Sequence, residues 1–414
     1  MWNDLSGGRE RLLQGDASPL PPRMRSLLGM SRADLQTWLR THHLLEALKA
    51  RVCLPLLPLP DNFTPPTRMP WGGTKILGTY KDGLPIREEK RYPIVGESWE
   101  ISADPIAPSQ FHLDLGKETL ELDLIQVLTL FPEHILGPKV AEKFQGYNPI
   151  LAKIIDSADH LSVQVHPSDD YAGLGPSESG KPESWYILEA EEGCGLYLGL
   201  REGVSKTSLR RAIEEHEDVS RYLNFVEVQR GDFFVIDAGT IHAIGAGVTL
   251  IEPQKIAPHK SGKTFRLWDW NRTYDAQGHK DPQGKPRELH IEEAFQIINF
   301  DAPRGEDFIN QIQPRPQVIQ QQGRSIETLL VETENFGVSQ IALESGDTLE
   351  AQCVKSFHGL ILYAGSLEIA SQGKPVATMG RGQAALLPAA LQRYTLRGTH
   401  ARAVKVYYPE QYLL

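Results

Sequence analysis

With 414 residues, 40% of them apolar and 23% charged, the chain has material for two or three domains and an ample core. A net charge of −10 argues against a basic nucleic-acid-binding surface and requires any anion site to be locally basic. Cys53, Cys194 and Cys353 are too few and too far apart for a disulfide framework or a cysteine zinc motif, which fits a reducing cytoplasm.

Gly7, Gly8, Arg9 and Glu10 stand where the apolar core of a signal peptide would lie. Ser31, with Asp34 three residues on, predicts a helix start with Met30 and Leu35 as a hydrophobic staple. Leu35, Trp38, Leu39, Leu45, Leu48 and Val52 continue it as one apolar stripe, expected to cover the main body. CLPLLPLP, from Cys53, is too short and too rich in proline to cross a membrane and opens an extended linker.

From Trp71 short strands are expected, first in GGTKILGTY and GESWEISA. Helical patterns interrupt at ETLELDLIQVLTLFPEHILG, from Glu118, and at SKTSLRRAIEEH, from Ser205. Strands resume in RGDFFVIDAGTIHAIG and GVTLIEPQ, and a helix from Ile291 to Ile298 closes the region. The last part, including FGVSQIAL and FHGLILYAGSLEIA, reads as short strands between glycine turns, a small sandwich or barrel. RGDFFVIDAGTIH from Arg230 aligns faintly with RGQAALLPAALQR from Arg381, which suggests two related β-barrels. In the second copy Arg393 takes the place of His242, so that copy is expected to hold no metal.

The stretch LSVQVHPSDD raises the functional question. Val163 and Val165 alternate with Ser162, Gln164 and His166, so a strand here has one apolar and one polar face. Glu183 opens a second strand in GKPESWYILEAE, and His242 follows a tight turn in DAGTIHAIGAG. Two imidazoles, a carboxylate and an amide suit zinc, iron, manganese or cobalt, though spacing alone does not bring them together.

LSVQVHPSDDYA, GKPESWYIL, GTIHAIGAG, TFRLWDWNR and RELHIEEA, in this order, resemble the type I phosphomannose isomerases, which are cupin-fold enzymes, and their shorter bacterial branch above all. The resemblance runs from about Pro65 to Leu414. It implies a mainly β fold of two cupin-like β-barrel (jelly-roll) domains with helical insertions and an N-terminal helical extension. The expected division is an extension and linker over 1–60, a metal-binding catalytic domain over 61–325 and a metal-free barrel over 326–414.

Carried over by motif, the metal ligands fall on Gln164, His166, Glu183 and His242. Ser162, Lys181 and Arg266 fall on substrate-binding positions, and Lys181, Glu252 and Arg266 on catalytic ones. The implied reaction interconverts mannose 6-phosphate and fructose 6-phosphate through an enediolate, with one divalent metal, zinc foremost. Glu252 or a water-linked group would shuttle the proton, and Lys181 and Arg266 would flank the growing charge. The implied protein is a cytoplasmic monomer or homodimer that engages a sugar phosphate, without nucleic acid or membrane. An isomerase of another sugar and a non-catalytic sugar- or metal-binding cupin are the alternatives. Trp185, Trp268 and Trp270 are candidates for the cavity wall or for the core. One departure stands out: PQKIAPHKSGK, between Glu252 and Arg266, is longer than the family's compact segment and basic through His259, Lys260 and Lys263, so the turn that orients Arg266 is expected to differ.

Overall fold

The computed structural model describes residues 23–413, so Gly7 to Glu10 lie outside the described residues. A short strand, β1 (Arg23–Ser26), leads to helices Arg32–Thr41 and Leu45–Arg51. Ser31 caps the first, its Oγ accepting the Asp34 N–H at 3.2 Å. The single stripe expected from Leu35 to Val52 is broken at His43, whose φ of 58° turns the chain between the two helices. Leu35, Leu39, Leu48 and Val52 are nonetheless buried together in the largest core. The linker is fixed as well as extended: Leu56 exchanges two backbone hydrogen bonds with Leu386, at 2.9 and 2.8 Å.

GGTKILGTY, expected as a strand, contains a helical turn over Ile76–Tyr80. The cause is remote. The buried Asp156 carboxylate accepts the Lys75 backbone N–H at 2.7 Å, a cap delivered from 81 residues away. A Cβ on Gly73 would meet that carboxylate at 2.4 Å, so the glycine makes room for the cap. GESWEISA forms β2 (Glu97–Ile101), and β3 (Gln110–Asp114) pairs antiparallel with β4 (Glu118–Asp123), to which β1 adds in parallel. Helix expected from Glu118 therefore begins only at Leu124. Leu120 and Leu122 alternate with Glu121 and Asp123, the period of a strand. Asp123 and Gln126 then form the capping box of helix Leu124–Leu130, which is followed by Pro132–Leu136 and Pro138–Lys143.

The next strands are β5 (Ile150–Ser157), β6 (Val163–Val165), β7 (Glu178–Ser179), β8 (Glu183–Ala190) and β9 (Gly195–Leu200). Helix Lys206–Glu214 precedes β10 (Leu223–Glu227), β11 (Phe233–Ile236), β12 (His242–Ile244) and β13 (Val248–Lys255). Short β14 (Ser261–Gly262) and β15 (Phe265–Trp268) come before helix Ile291–Ile297. Two five-stranded sheets result, in the orders β11-β8-β13-β5-β2 and β10-β9-β12-β6-β15. Trp185, Ile187 and Leu250 of the first share one core with Leu196, Leu198 and Ile244 of the second, so the sheets pack face to face. Val163 and Val165 point the other way and are buried with Ala294 and Phe295 of helix Ile291–Ile297.

The C-terminal part is one eight-stranded sheet. It comprises β16 (Gln317–Gln322), β17 (Ser325–Glu332), β18 (Gly337–Leu343), β19 (Thr348–Gln352), β20 (His358–Ser371), β21 (Lys374–Gly380), β22 (Ala384–Leu387) and β23 (Arg393–Tyr407). The faint repeat has a structural counterpart. Gly231 and Gly382 both take positive φ, 95° and 81°, just before β11 and β22, and His242 and Arg393 both open the following strand. The largest core unites the two parts, since Ile154 and Ile251 join Leu330, Val338 and Val404 in it. Buried Lys81 bridges them: its Nζ donates to Glu100 and, at 3.0 Å, to the Gly382 carbonyl.

Candidate metal centre and its cavity

Register explains how residues distant in sequence converge. In an antiparallel pair, directly opposed residues point to the same face. His242 on β12 and Arg266 on β15 are both opposed to Gln164 on β6, so the three side chains stand in a row on the inner face. His166 lies two residues further along that face, just past the end of β6. The facing sheet supplies Glu183 from β8, with Gln254 opposite it on β13, and Glu252 opposite Lys153 of β5.

One ligand atom from each of His166, Glu183 and His242 falls within 4.8 Å of the others, and all three residues are buried. The Gln164 amide lies 3.3 Å from His242 Nε2, and rotation about its last bond presents its oxygen at the same place. Both imidazoles are oriented by backbone. The His166 Nδ1–H donates to the Lys263 carbonyl at 3.1 Å, and the His242 Nδ1–H to the Thr240 carbonyl at 2.9 Å. Each Nε2 lone pair is thereby aimed at Glu183, at 3.4 and 3.5 Å. Both Glu183 oxygens are buried and accept no directed hydrogen bond. Among the described residues Lys181 Nζ is the one cation close to the cluster, 3.3 Å from His166 Nε2, and the two neutral nitrogens around a buried carboxylate fit a divalent metal ion.

The electrostatics agree. Burial pushes the His166 imidazole down to about 4, with Lys181 adding to the shift, and burial also lowers His242. Burial opposes the charge of Glu183, yet Lys181, His166 and His242 outweigh it and hold the carboxyl well below the usual range. Lys181 Nζ stands 2.8 Å from Glu183 Oε2 and 3.8 Å from Glu252 Oε1.

Ser162, Gln164, Lys181, Glu252 and Arg266 line one cavity of about 390 Å³ beside this cluster. All the sequence-predicted site residues therefore sit in the cluster or on this cavity. None of the three tryptophans proposed for the wall lines it; Trp71 does. Trp185 is fully buried behind Glu252, donating from Nε1 to Oε2 at 3.3 Å, while Trp268 and Trp270 pack on each other with ring centroids 4.6 Å apart. The basic segment before Arg266 is partly neutralised. Lys255 pairs with Asp169, Lys263 reaches Glu178 at 2.6 Å, and Ser261–Gly262 pair in parallel with β7.

One residue behind the cavity and three that line it escaped the sequence reading. Lys153 is buried with its Nζ 2.8 Å from Glu252 Oε1 and 3.9 Å from Glu97 Oε2. These two acids overcome the burial that opposes its charge and raise its pKa. Its one signal was a lone lysine inside the apolar run ILAKII. Glu97, Arg68 and Arg287 also line the cavity, and nothing in their local patterns marks them.

The chain is similar to known proteins in sequence and fold. Residues 67–191 match the family model of the phosphomannose isomerase type I catalytic domain. The chain is 30% identical over 330 residues to mannose-6-phosphate isomerase ManA of Bacillus subtilis, covering 79% of this chain and 92% of that protein. It is 35% identical over 235 residues to mannose-6-phosphate isomerase of Streptococcus mutans, covering 56% of this chain and 65% of that protein. A crystal structure of mannose 6-phosphate isomerase from Bacillus subtilis superposes with a TM-score of 0.66 at 26% identity, covering 86% of this chain and 100% of that one. With shared motifs, shared fold and a relative matched over nearly its whole length, this chain belongs to the type I phosphomannose isomerase family.

Proposed function

We propose that this protein interconverts mannose 6-phosphate and fructose 6-phosphate, with Gln164, His166, Glu183 and His242 holding one zinc ion. The observation that carries the reading is the pair of neutral imidazoles aimed at one buried carboxylate, beside a cavity lined by a second carboxylate and several cations. Two histidines, a glutamate and an amide oxygen complete a four-donor nitrogen and oxygen set of the kind zinc accepts. The metal, when bound, supplies Lewis-acid polarisation of the sugar's carbonyl end. With three free cysteines and, among the described residues, no helix long and apolar enough to cross a membrane, we assign the protein to the cytoplasm.

Aldose–ketose exchange moves a proton between adjacent carbons and builds negative charge on the two sugar oxygens. Glu252 takes and returns that proton. Its carboxylate is held from three sides, by Lys153, Lys181 and the Trp185 Nε1–H, so it meets the substrate in one orientation. Lys181 stabilises the enediolate charge, Arg266 binds the substrate beyond it, and Ser162 hydrogen-bonds the sugar. Trp71 and Ile155 add an apolar stretch to the cavity wall.

The test is a coupled assay of the zinc-loaded protein with mannose 6-phosphate, run beside free mannose. Turnover of the phosphorylated sugar, lost on chelation and restored by zinc, is expected. A protein that carries zinc yet turns over neither sugar would favour a binding role and overturn this reading.

A further inference from the structure

Arg287 is placed by a device that the chemistry above does not use. Residues 269–272 form a tight turn closed by the Arg272 N–H on the Asp269 carbonyl at 3.0 Å. Its two central residues, Trp270 and Asn271, both take positive φ, 57° and 52°. This is the geometry of a type I′ turn, in which a tryptophan at the first central position is strained. The turn folds Arg272 back on the Asp269 carboxylate, where its Nη2 donates at 2.6 Å. Arg287 donates to the same buried carboxylate from Nε and Nη2, both at 2.7 Å. A bidentate fork on a buried acid fixes a guanidinium in both position and plane.

The fixed guanidinium lines the cavity beside Arg266. Arg266 donates from Nη1 to the Glu288 carbonyl at 2.9 Å, while its Nε is buried with no acceptor. Burial and the neighbouring Arg287 both disfavour its charge. Positive charge is in excess around the turn: among the described residues, Arg266, Arg272, Arg287 and Lys280 face only Asp159 and Asp269 as buried or half-buried acids. The Glu288 carboxylate points to solvent, with 84% of its side chain exposed. Two adjacent guanidiniums, one with an orphaned N–H, make a site for a doubly charged oxyanion.

Position gives the orientation. Across the sheet, β12 with His242 is followed by β6 and then by β15 with Arg266. Segment 288–290 runs outside β15, with the His290 N–H on the Arg266 carbonyl at 2.8 Å. Arg266 is thus about 10 Å from β12, two strand spacings away, and Arg287 enters from beyond it. The carbon ends that react belong at the metal cluster, and the far end of the sugar faces the arginines.

We propose that Arg287, locked by Asp269 and set beside Arg266, anchors the phosphate of the substrate and makes the cavity select a phosphorylated over a free sugar. The proposal rests on the isomerase reading, since it orients that substrate in that cavity. Arg287 acts at the end remote from the chemistry, so it contributes binding that is equal in ground and transition states.

The test combines steady-state kinetics on mannose 6-phosphate with calorimetric titration of inorganic phosphate into the zinc-loaded protein. Zinc content and circular dichroism of each variant report folding. Arg287→Ala should raise KM by about 10- to 100-fold, the range for losing a charge-assisted contact, with a much smaller change in kcat. Its phosphate affinity should fall by a similar factor. Arg287→Lys should recover part of both losses, and Asp269→Asn should weaken phosphate binding by freeing the fork. Should Arg287→Ala not fold, Arg287→Gln takes its place in the same two measurements. A variant with zinc bound and unchanged KM and phosphate affinity overturns the proposal, as does one that loses kcat alone. If the wild type binds phosphate through Arg287 yet turns over no mannose 6-phosphate, the anion site stands and the isomerase reading fails.

Discussion

Val163 and Gln164 are neighbours with opposite duties, and the pair gives the most direct test of the strand register. Val163 is fully buried against the outer helix, whereas Gln164 stands between His242 and Arg266 on the inner face. Val163→Ala should cost about 1–3 kcal/mol in chemical denaturation and leave zinc content near normal. Gln164→Ala should lower zinc occupancy, measured by elemental analysis, with little loss of stability. The reverse pattern would mean a register shifted by one residue. A second residue-scale test concerns Asp61, which is buried and accepts from Arg87 Nε and Nη2, both at 2.8 Å. Burial raises the Asp61 pKa, but the Arg87 hydrogen bonds and charge prevail and set it below the ordinary 3.8. The stabilisation is therefore complete above about pH 4 and is lost as pH falls through the depressed folded value. Asp61→Asn should cost about 1.5 kcal/mol at pH 7, the low end for bonds to charge because Arg87 is one-third exposed, and the gap to wild type should close as pH falls through that depressed value. Alternation made Ser162, Gln164 and His166 legible as one face, and motif resemblance supplied Glu183 and His242. Lys153, Glu97 and Arg287 stayed hidden because each takes its meaning from a partner on another strand or turn, Glu252, Lys153 and Asp269 respectively, that no local pattern specifies.

At the scale of elements, the misreadings have local and remote causes. Helix Ile76–Tyr80 replaces an expected strand because Asp156 caps it from a distance, and the left-handed turn at His43 divides a stripe that periodicity joined. Helix Lys206–Glu214 begins where expected because Ser205 and Ser208 form its capping box within four residues. A capping box was readable, whereas a cap contributed from far along the chain and a left-handed turn at a non-glycine residue were not. The two N-terminal helices are integral to the core. Leu39, with no exposed surface, is buried among Leu35, Leu48 and Leu124. Leu39→Ala should therefore destabilise by about 2–5 kcal/mol in denaturant titration. Zinc content of the folded variant should be unchanged, since the metal cluster belongs to other elements. A loss below about 0.5 kcal/mol would show these helices to be a dispensable cover.

For the whole molecule, Lys81 is the most exacting contact. Its side chain has no exposed surface, it lies 2.8 Å from Glu100 Oε1, and it donates to the Gly382 carbonyl. Lys81→Met leaves Glu100 buried without its partner, a change that typically costs about 3–5 kcal/mol. Because the largest core draws on both parts, wild type and variant should each melt in one transition, with circular dichroism and zinc release coincident. Two separated transitions would show that the parts unfold independently. Residue patterns did suggest two related β units, through the Arg-Gly turns ahead of β11 and β22, but not how closely they are joined.

That junction also sets a schedule for biosynthesis. Lys81 and the Gly382 carbonyl are 301 residues apart in the chain. At about 5–20 residues per second, roughly 15–60 s separate the emergence of the lysine from that of its acceptor. Until then the linker edge at Leu56 lacks Leu386, and the first pair of sheets presents to solvent or to chaperones the apolar surface that Leu330, Val338 and Val404 later cover. A ribosome-bound chain ending before β20 should accordingly bind chaperones and be cut readily by protease around Leu56, whereas the released full chain resists both.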